Sequence, residues 1–186
     1  MPPQTRKVTP LTASKLEELA LSYVARFATT RAKLEAYLVR KLRERGWEGE
    51  CDPDPAALAA RFAEAGYVDD ALFARLKSDS LLRRGYGGRR VGEALRAAGV
   101  DESLRDDVAP GIFAARTAAM AMARRRRFGP WGTVAPERPV RDKQIAAMLR
   151  AGHSLDNARQ IVEATDLAAV EEWVDSAPDA GDDGCE

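Results

Sequence analysis

Apolar residues along this 186-residue chain recur at the three- and four-residue intervals that place them on one face of a helix. The alternation of a half-buried strand is nearly absent, and there is no Asn-Gly hairpin signal. Leu16, Leu19, Ala20, Tyr23 and Phe27 predict a first helix, and Leu34, Tyr37, Leu38 and Leu42 a second that Gly46 ends. Asp54 followed by Pro55 opens a third, through Leu58 and Phe62 to Gly66. A fourth starts at Asp69, carries Leu72, Phe73, Leu76, Ser80 and Leu81, and stops at Gly85. Val91, Ala94, Leu95 and Ala98 mark a fifth closed by Gly99, and Leu104 and Val108 a short sixth. Residues 113–128 form a long seventh, and Ile145, Met148 and Leu149 mark an eighth closed by Gly152. Ser154 caps a ninth through Ala158, Ile161 and Val162, and residues 166–174 add a last turn or two. The expected fold class is all-α.

The segment Gly66-Tyr67-Val68-Asp69-Asp70 is a helix stop followed at once by a helix start. Gly66 supplies the left-handed conformation that ends one helix. Asp69 caps the next, with Val68 positioned to staple onto Phe73. Asp69 and Asp70 are neighbours at a helix start, so they point apart and do not form a facing acid–base pair.

Three helices end alike, in "YLVRKLRERGW", "VGEALRAAGV" and "IAAMLRAGH". Their glycines, Gly46, Gly99 and Gly152, stand 53 residues apart in both intervals. A period of this size with three helices per unit predicts an elongated tandem array of three three-helix repeats. The expected division is a flexible N-terminus over 1–10, repeats over 11–66, 67–111 and 112–174, and a disordered acidic tail over 175–186. Gly66, Tyr67, Asp69, Asp70, Phe73, Gly85 and Gly99 are assigned to the joints of this architecture.

Composition changes the picture only through charge. Charged residues are 31% and apolar residues 45%, as in a globular protein, and no apolar run is long enough to cross a membrane. The N-terminus lacks an apolar signal core, and Cys51 and Cys185 form no framework, so a reducing cytoplasmic setting is expected. The net charge is zero, yet residues 1–150 hold 28 basic and 19 acidic residues while residues 151–186 hold Arg159 and ten acids. A basic body with an acidic tail points to an anionic partner, nucleic acid first among them.

No catalytic constellation accompanies that charge. His153, the single histidine, follows a helix-ending glycine, where a cap or packing role is expected. There is no phosphate-binding GxxxxGK[ST] loop, no nucleophile elbow and no metal-spaced His/Cys set, so no cofactor, no metal and no enzymatic activity are expected. The arginines are more informative. Arg83 and Arg84 end one helix, and Arg89 and Arg90 begin the next, the latter pair unfavourably placed at a helix N-terminus. Arg124, Arg125, Arg126 and Arg127 fan around a helix end, so they cannot all face the core. These eight are the expected contacts for DNA phosphates or an acidic protein surface. Phe128 and Trp131 nearby either stack on bases or anchor their loop, whereas Arg31, Lys33, Arg40, Lys41, Arg43 and Arg45 read as an exposed ion-paired face with Glu35 and Glu44.

Three stretches carry a family resemblance: "RFATTRAKLEAYLVRKLRERG" (26–46), "GYVDDALFARLKSDSLLRRGYGGRRVGEALRAAGV" (66–100) and "MLRAGHSLDNARQIV" (148–162). Over about residues 15–165 the chain resembles the RecX regulatory proteins of bacteria. The distinctive part is Gly66 to Asp70, Phe73-Ala74, Arg84-Gly85-Tyr86-Gly87, and Val91 through Leu95 to Gly99; Thr29-Thr30 stands where the family usually shows a serine cap. The "FGPWG" loop replaces a plainer helix connection in the third repeat. The resemblance implies binding to the RecA recombinase and to its filament on single-stranded DNA. It further implies inhibition of filament growth, ATP hydrolysis, strand exchange and co-protease activity, and so modulation of recombination and the SOS response. A monomer that also touches DNA directly is consistent with it. The competing expectation is a helical regulator of duplex DNA acting independently of RecA, although Glu93 and Ala94 on the helix after "GYGG" are poor readers of base edges.

Overall fold

The computed structural model describes residues 9–133 and 136–178. Residues 1–8 of the expected flexible N-terminus and 179–186 of the expected acidic tail, including Cys185, lie outside the described residues. The described chain is all-α, built of helices in tandem: α1 (Ala13–Val24), α2 (Arg31–Arg45), α3 (Pro55–Glu64), α4 (Asp70–Arg83), α5 (Gly88–Ala97), α6 (Glu102–Asp107), α7 (Ile112–Arg126), α8 (Arg138–Arg150), α9 (Leu155–Val162) and α10 (Leu167–Asp175). A 3₁₀ turn, Gly129–Trp131, links α7 to α8. Among the described residues the only extended pairing is the isolated bridge between Leu11 and Trp47. The chain divides into two compact units, one holding the described residues through Phe73 with Ala98–Val100, the other Ala74–Ala97 and Asp101 onward.

The first unit packs Leu11, Leu16, Ala20, Leu34, Leu38, Ala59, Phe62 and Val68 into its core. Helix α3 is stopped by a double turn: the Gly66 amide donates to the Ala63 carbonyl and the Tyr67 amide to the Phe62 carbonyl, both at 2.9 Å. Gly66 has φ +77, and the Phe62 and Tyr67 rings close over the turn with centroids 5.4 Å apart. The adjacent aspartates then serve two different helices. Asp69 caps α4 by accepting from the Leu72 amide at 2.8 Å, and Asp70 accepts from the Arg31 amide of α2 at 2.8 Å. Thr30 is the N-cap of α2, accepting from the Lys33 amide at 3.2 Å, and its buried hydroxyl donates to the Ala98 carbonyl at 2.6 Å.

The second unit packs Ala119, Met122, Ala123, Met148, Ala158, Ile161, Val162, Val170 and Val174. Arg116 holds α10 against α7: its guanidinium lies 4.7 Å from the Trp173 ring and donates to the Trp173 carbonyl. Gly87 and Gly152 let two backbones meet, the Gly87 amide donating to the Ala151 carbonyl at 2.9 Å and the Arg89 amide to the Gly152 carbonyl at 3.2 Å. A Cβ on Gly87 would stand 2.3 Å from the Gly152 carbonyl carbon, so only glycine permits this approach.

Two faces differ from the spacing. Phe27 lies beyond α1, 57% exposed, because the Arg26 and Phe27 amides both turn back to the Tyr23 carbonyl and close the helix. On α4, Leu72 and Leu76 are exposed while Ala74, Ser78 and Leu81 are buried. Both stripes have helical spacing, and the smaller one wins because Ala and Ser admit close neighbours; Ser78 Oγ donates to the Val108 carbonyl at 3.0 Å.

Candidate nucleic-acid interface

Helix α4 ends in the second unit with Arg83 and Arg84, where cationic side chains complement the carboxyl end of the helix dipole. The stop is again a double turn: the Gly85 amide donates to the Leu82 carbonyl at 2.8 Å and the Tyr86 amide to the Leu81 carbonyl at 3.0 Å. Gly85, at φ +76, lies against α7, so close that a Cβ would stand 2.9 Å from the Met122 nitrogen. This contact brings the first arginine pair beside the last turn of α7. The Arg84 guanidinium stacks 5.4 Å from the Tyr86 ring, and Arg125 Nη2 donates to the Arg84 carbonyl. Two clusters separated by about forty residues of sequence thereby share one surface.

Arg124, Arg125, Arg126 and Arg127 are all exposed. Arg127 is the one non-glycine residue with positive φ (57°) among the described residues. It occupies the position that glycine takes after α3 and α4, with the Phe128 amide returning to the Ala123 carbonyl at 2.9 Å. A left-handed non-glycine residue costs about 1–2 kcal/mol, so the chain carries a fourth arginine where a glycine would be more stable. Phe128 and Trp131 pack against the core of this unit, and the Gly129 amide donates to Gln144 Oε1 at 3.0 Å. These aromatics anchor the loop.

Arg89 and Arg90 do begin α5, but Glu93 answers their charge. Arg89 Nη1 and Arg90 Nη1 both pair with it, the latter at 3.1 Å, and Arg89 Nη2 donates to the Leu149 carbonyl at 2.7 Å. The hydrogen bond from Arg90, supported by both guanidinium charges, holds the Glu93 carboxyl below its ordinary pKa, against a weaker effect of burial. The unfavourable placement at the helix start is thus compensated within α5 itself. Among the described residues none of the other six arginines has a carboxylate within 4 Å. On α2, Arg40 and Lys41 pair with Glu44 at 3.6 and 2.6 Å, part of the ion-paired face expected there, while Arg45 donates to the Thr9 carbonyl.

His153 is 5% exposed, and its Nε2 lies 3.0 Å from the Gly85 carbonyl. Burial pushes its pKa down while the Gly85 hydrogen bond opposes the shift. It is a packing residue of the turn between α8 and α9. Among the described residues no group of three His, Cys, Asp or Glu side chains could hold a metal ion, and no helix is long and apolar enough to cross a membrane.

Comparison with known proteins supplies the family. No protein-family model matches the chain. Regulatory protein RecX of Myxococcus xanthus is 32% identical over 171 residues, covering 87% of this chain and 90% of that protein. The chain belongs to the RecX family. Regulatory protein RecX of Halorhodospira halophila is 30% identical over 81% of this chain and 88% of its own, and that of Mycobacterium sp. (strain JLS) 30% identical over 78% and 81%. The crystal structure of RecX from Lactobacillus salivarius superposes with a TM-score of 0.57 over 81% of this chain and 94% of that one, at 19% identity, which establishes a shared helical fold. Relatives of this RecX-family chain are thus named as regulatory proteins. The residues missed by sequence reasoning are those that join the arginine clusters: nothing local to Gly85 or Met122 shows that they meet.

Proposed function

We propose that this RecX-family chain regulates the RecA recombinase by binding RecA and its filament on single-stranded DNA. In this reading it is a cytoplasmic, non-catalytic monomer that restrains filament growth, and with it ATP hydrolysis, strand exchange and co-protease activity, so modulating recombination and the SOS response. The three helical repeats divide at 66/67 and 111/112, and Arg83, Arg84, Arg89, Arg90 and Arg124 to Arg127 supply contacts to DNA phosphates or to an acidic surface of the filament. The observation that carries the reading is the Arg125–Arg84 contact, which merges two arginine clusters into one exposed surface with six guanidiniums free of carboxylate partners. Guanidiniums placed in this way suit phosphate oxygens, and binding through them releases counterions.

The decisive experiment titrates this protein into the cognate RecA hydrolysing ATP on single-stranded DNA. Inhibition well below one copy per RecA is expected; no effect at molar excess would reject the reading. Substituting Arg124 to Arg127 together by Ala is expected to weaken filament binding and flatten its salt dependence, and an unchanged salt slope would remove these residues from the interface. Arg127→Gly separates function from stability. It is expected to stabilise the fold by up to about 1 kcal/mol while weakening binding.

A further inference from the structure

A groove of about 600 Å³ in the second unit is formed by α5, α6, the residues after α6, and the start of α9. Two buried polar atoms on its lining residues have no partner: Arg105 Nε and His153 Nδ1. Both are shut off from solvent, so bulk water does not answer them. The Arg105 side chain is only 17% exposed, and the one carboxylate offered to it is Glu102, 83% exposed and 3.9 Å away. A charged side chain buried to this degree ordinarily has close charged partners. Arg96, exposed, and Arg89 line the same groove, as do the Ser154 N-cap of α9 and the acidic Asp106.

We propose that this groove binds a phosphate monoester, with Arg105 and Arg96 as its cationic ligands and His153 as its hydrogen-bond acceptor. The two orphaned atoms select the chemistry. The Gly85 carbonyl takes the hydrogen on His153 Nε2, which leaves Nδ1 of the neutral ring as an unpaired acceptor on a residue of the groove that Arg96 and Arg105 also line. The matching ligand is an anion that also carries a hydroxyl hydrogen. A phosphate monoester monoanion, the form held near and below its second pKa of about 6, offers charged oxygens to the guanidiniums and a P–OH hydrogen to Nδ1. A phosphodiester has no such hydrogen, so the groove distinguishes a terminal or free phosphate from the interior of a nucleic-acid strand. Access requires Arg105, a long side chain with several rotatable bonds, to turn outward. The inference stands apart from the RecA reading, because Arg96, Arg105 and His153 belong to neither arginine cluster.

The test uses the full untagged chain, in which His153 is the only histidine and gives one imaginable probe, a single set of imidazole resonances. Inorganic phosphate titrated at constant ionic strength against chloride is expected to shift those resonances saturably, and dimethyl phosphate to shift them no more than chloride. Arg105→Gln is expected to weaken phosphate binding by about tenfold or more. Arg96→Gln, at an exposed position whose loss leaves folding intact, is expected to weaken it by about threefold or more. No saturable shift, an equal response to dimethyl phosphate, or unchanged affinity in Arg96→Gln would overturn the proposal. Oligonucleotides with and without a 5′-phosphate then distinguish the source. Tighter binding of the phosphorylated strand, lost in Arg96→Gln, assigns a strand end. Equal binding of both, with inorganic phosphate still bound, assigns a small free phosphate.

Discussion

In the first unit the Thr30 hydroxyl donates to the Ala98 carbonyl at 2.6 Å; in the second the Gly87 amide donates to the Ala151 carbonyl at 2.9 Å. Ala98 and Ala151 stand 53 residues apart, the interval that also separates Gly99 from Gly152. The same carbonyl position, just before a left-handed glycine, therefore accepts from the start of an earlier helix in each unit. What differs is how the helix start reaches it. A threonine spans the gap with its side chain, whereas two glycines bring backbone against backbone. The residue after each glycine differs as well: the buried, apolar Val100 in one unit, and His153, bonded to the Gly85 carbonyl, in the other. The 53-residue period is thus a repeat of a docking contact, and the contact tolerates a change of chemistry as long as the acceptor stays in place.

The largest expected effect breaks the backbone version. Gly152→Ala places a Cβ 2.5 Å from the Arg90 nitrogen at φ +95, and backbone cannot move aside as a side chain can. A loss of about 3 kcal/mol or more is expected in urea unfolding. Gly66→Ala is the control, with positive φ (+77) at a helix stop and nothing within 4 Å. Its cost is the left-handed penalty alone, about 1–2 kcal/mol. Equal losses for the two variants would show that backbone conformation, and not close approach, governs both turns. The side-chain version is broken more gently. Thr30→Val keeps the shape but leaves the buried Ala98 carbonyl without its donor, an expected loss of about 1–3 kcal/mol.

The legibility of these turns in the sequence follows from the range of the physics. Gly46, Gly66, Gly85, Gly99 and Gly152 all have positive φ, and each could be read because a helix stop at positive φ is a local demand. The Asp54–Pro55 start and the Ser154 cap were readable for the same reason. The partners were not. Ala98 meets Thr30 across 68 residues, Arg31 meets Asp70 across 39, and Arg125 meets Arg84 across 41. Periodicity also could not choose between the Leu72–Leu76 stripe and the Ala74–Ser78–Leu81 stripe of α4, because the choice depends on what packs against it. For the arginines, charge and position were legible. Their merging, and the compensation of Arg89 and Arg90 by Glu93, required the fold.

The paired aspartates sharpen the comparison at an intermediate scale. Asp69→Ala removes the cap on the Leu72 amide and is expected to cost about 1 kcal/mol. Asp70→Ala removes an equivalent bond to the Arg31 amide, but the Thr30 cap still holds the same helix start, so a smaller loss is expected. In the double variant Asp70→Ala with Thr30→Val the combined loss should exceed the sum of the two single losses, since either group alone can hold the start of α2. Strict additivity in denaturant melts would mean that the two caps act independently.

The smallest effect separates Val100 from His153 by pH. Burial holds the folded-state pKa of His153 below its ordinary value of 6.5. Between the depressed value and 6.5 the unfolded chain binds more protons than the folded one, so stability rises with pH across that window and levels off above it. Lowering the pH from 7 to about 5.5 should therefore destabilise the second unit. Glu44 and Glu93, whose carboxyls lie below 4.5, titrate outside this range. The charges lining the groove beside His153 are Arg89, Arg96 and Arg105 with Glu102 and Asp106; the guanidiniums favour the neutral imidazole and the carboxylates oppose them. His153→Val, which installs the residue found at position 100, sacrifices the Gly85 bond and should be less stable at pH 7. Its stability should nevertheless be nearly flat from 5.5 to 7. A variant that keeps the wild-type slope would place the titration elsewhere and leave His153 equivalent to Val100 in everything but its hydrogen bond.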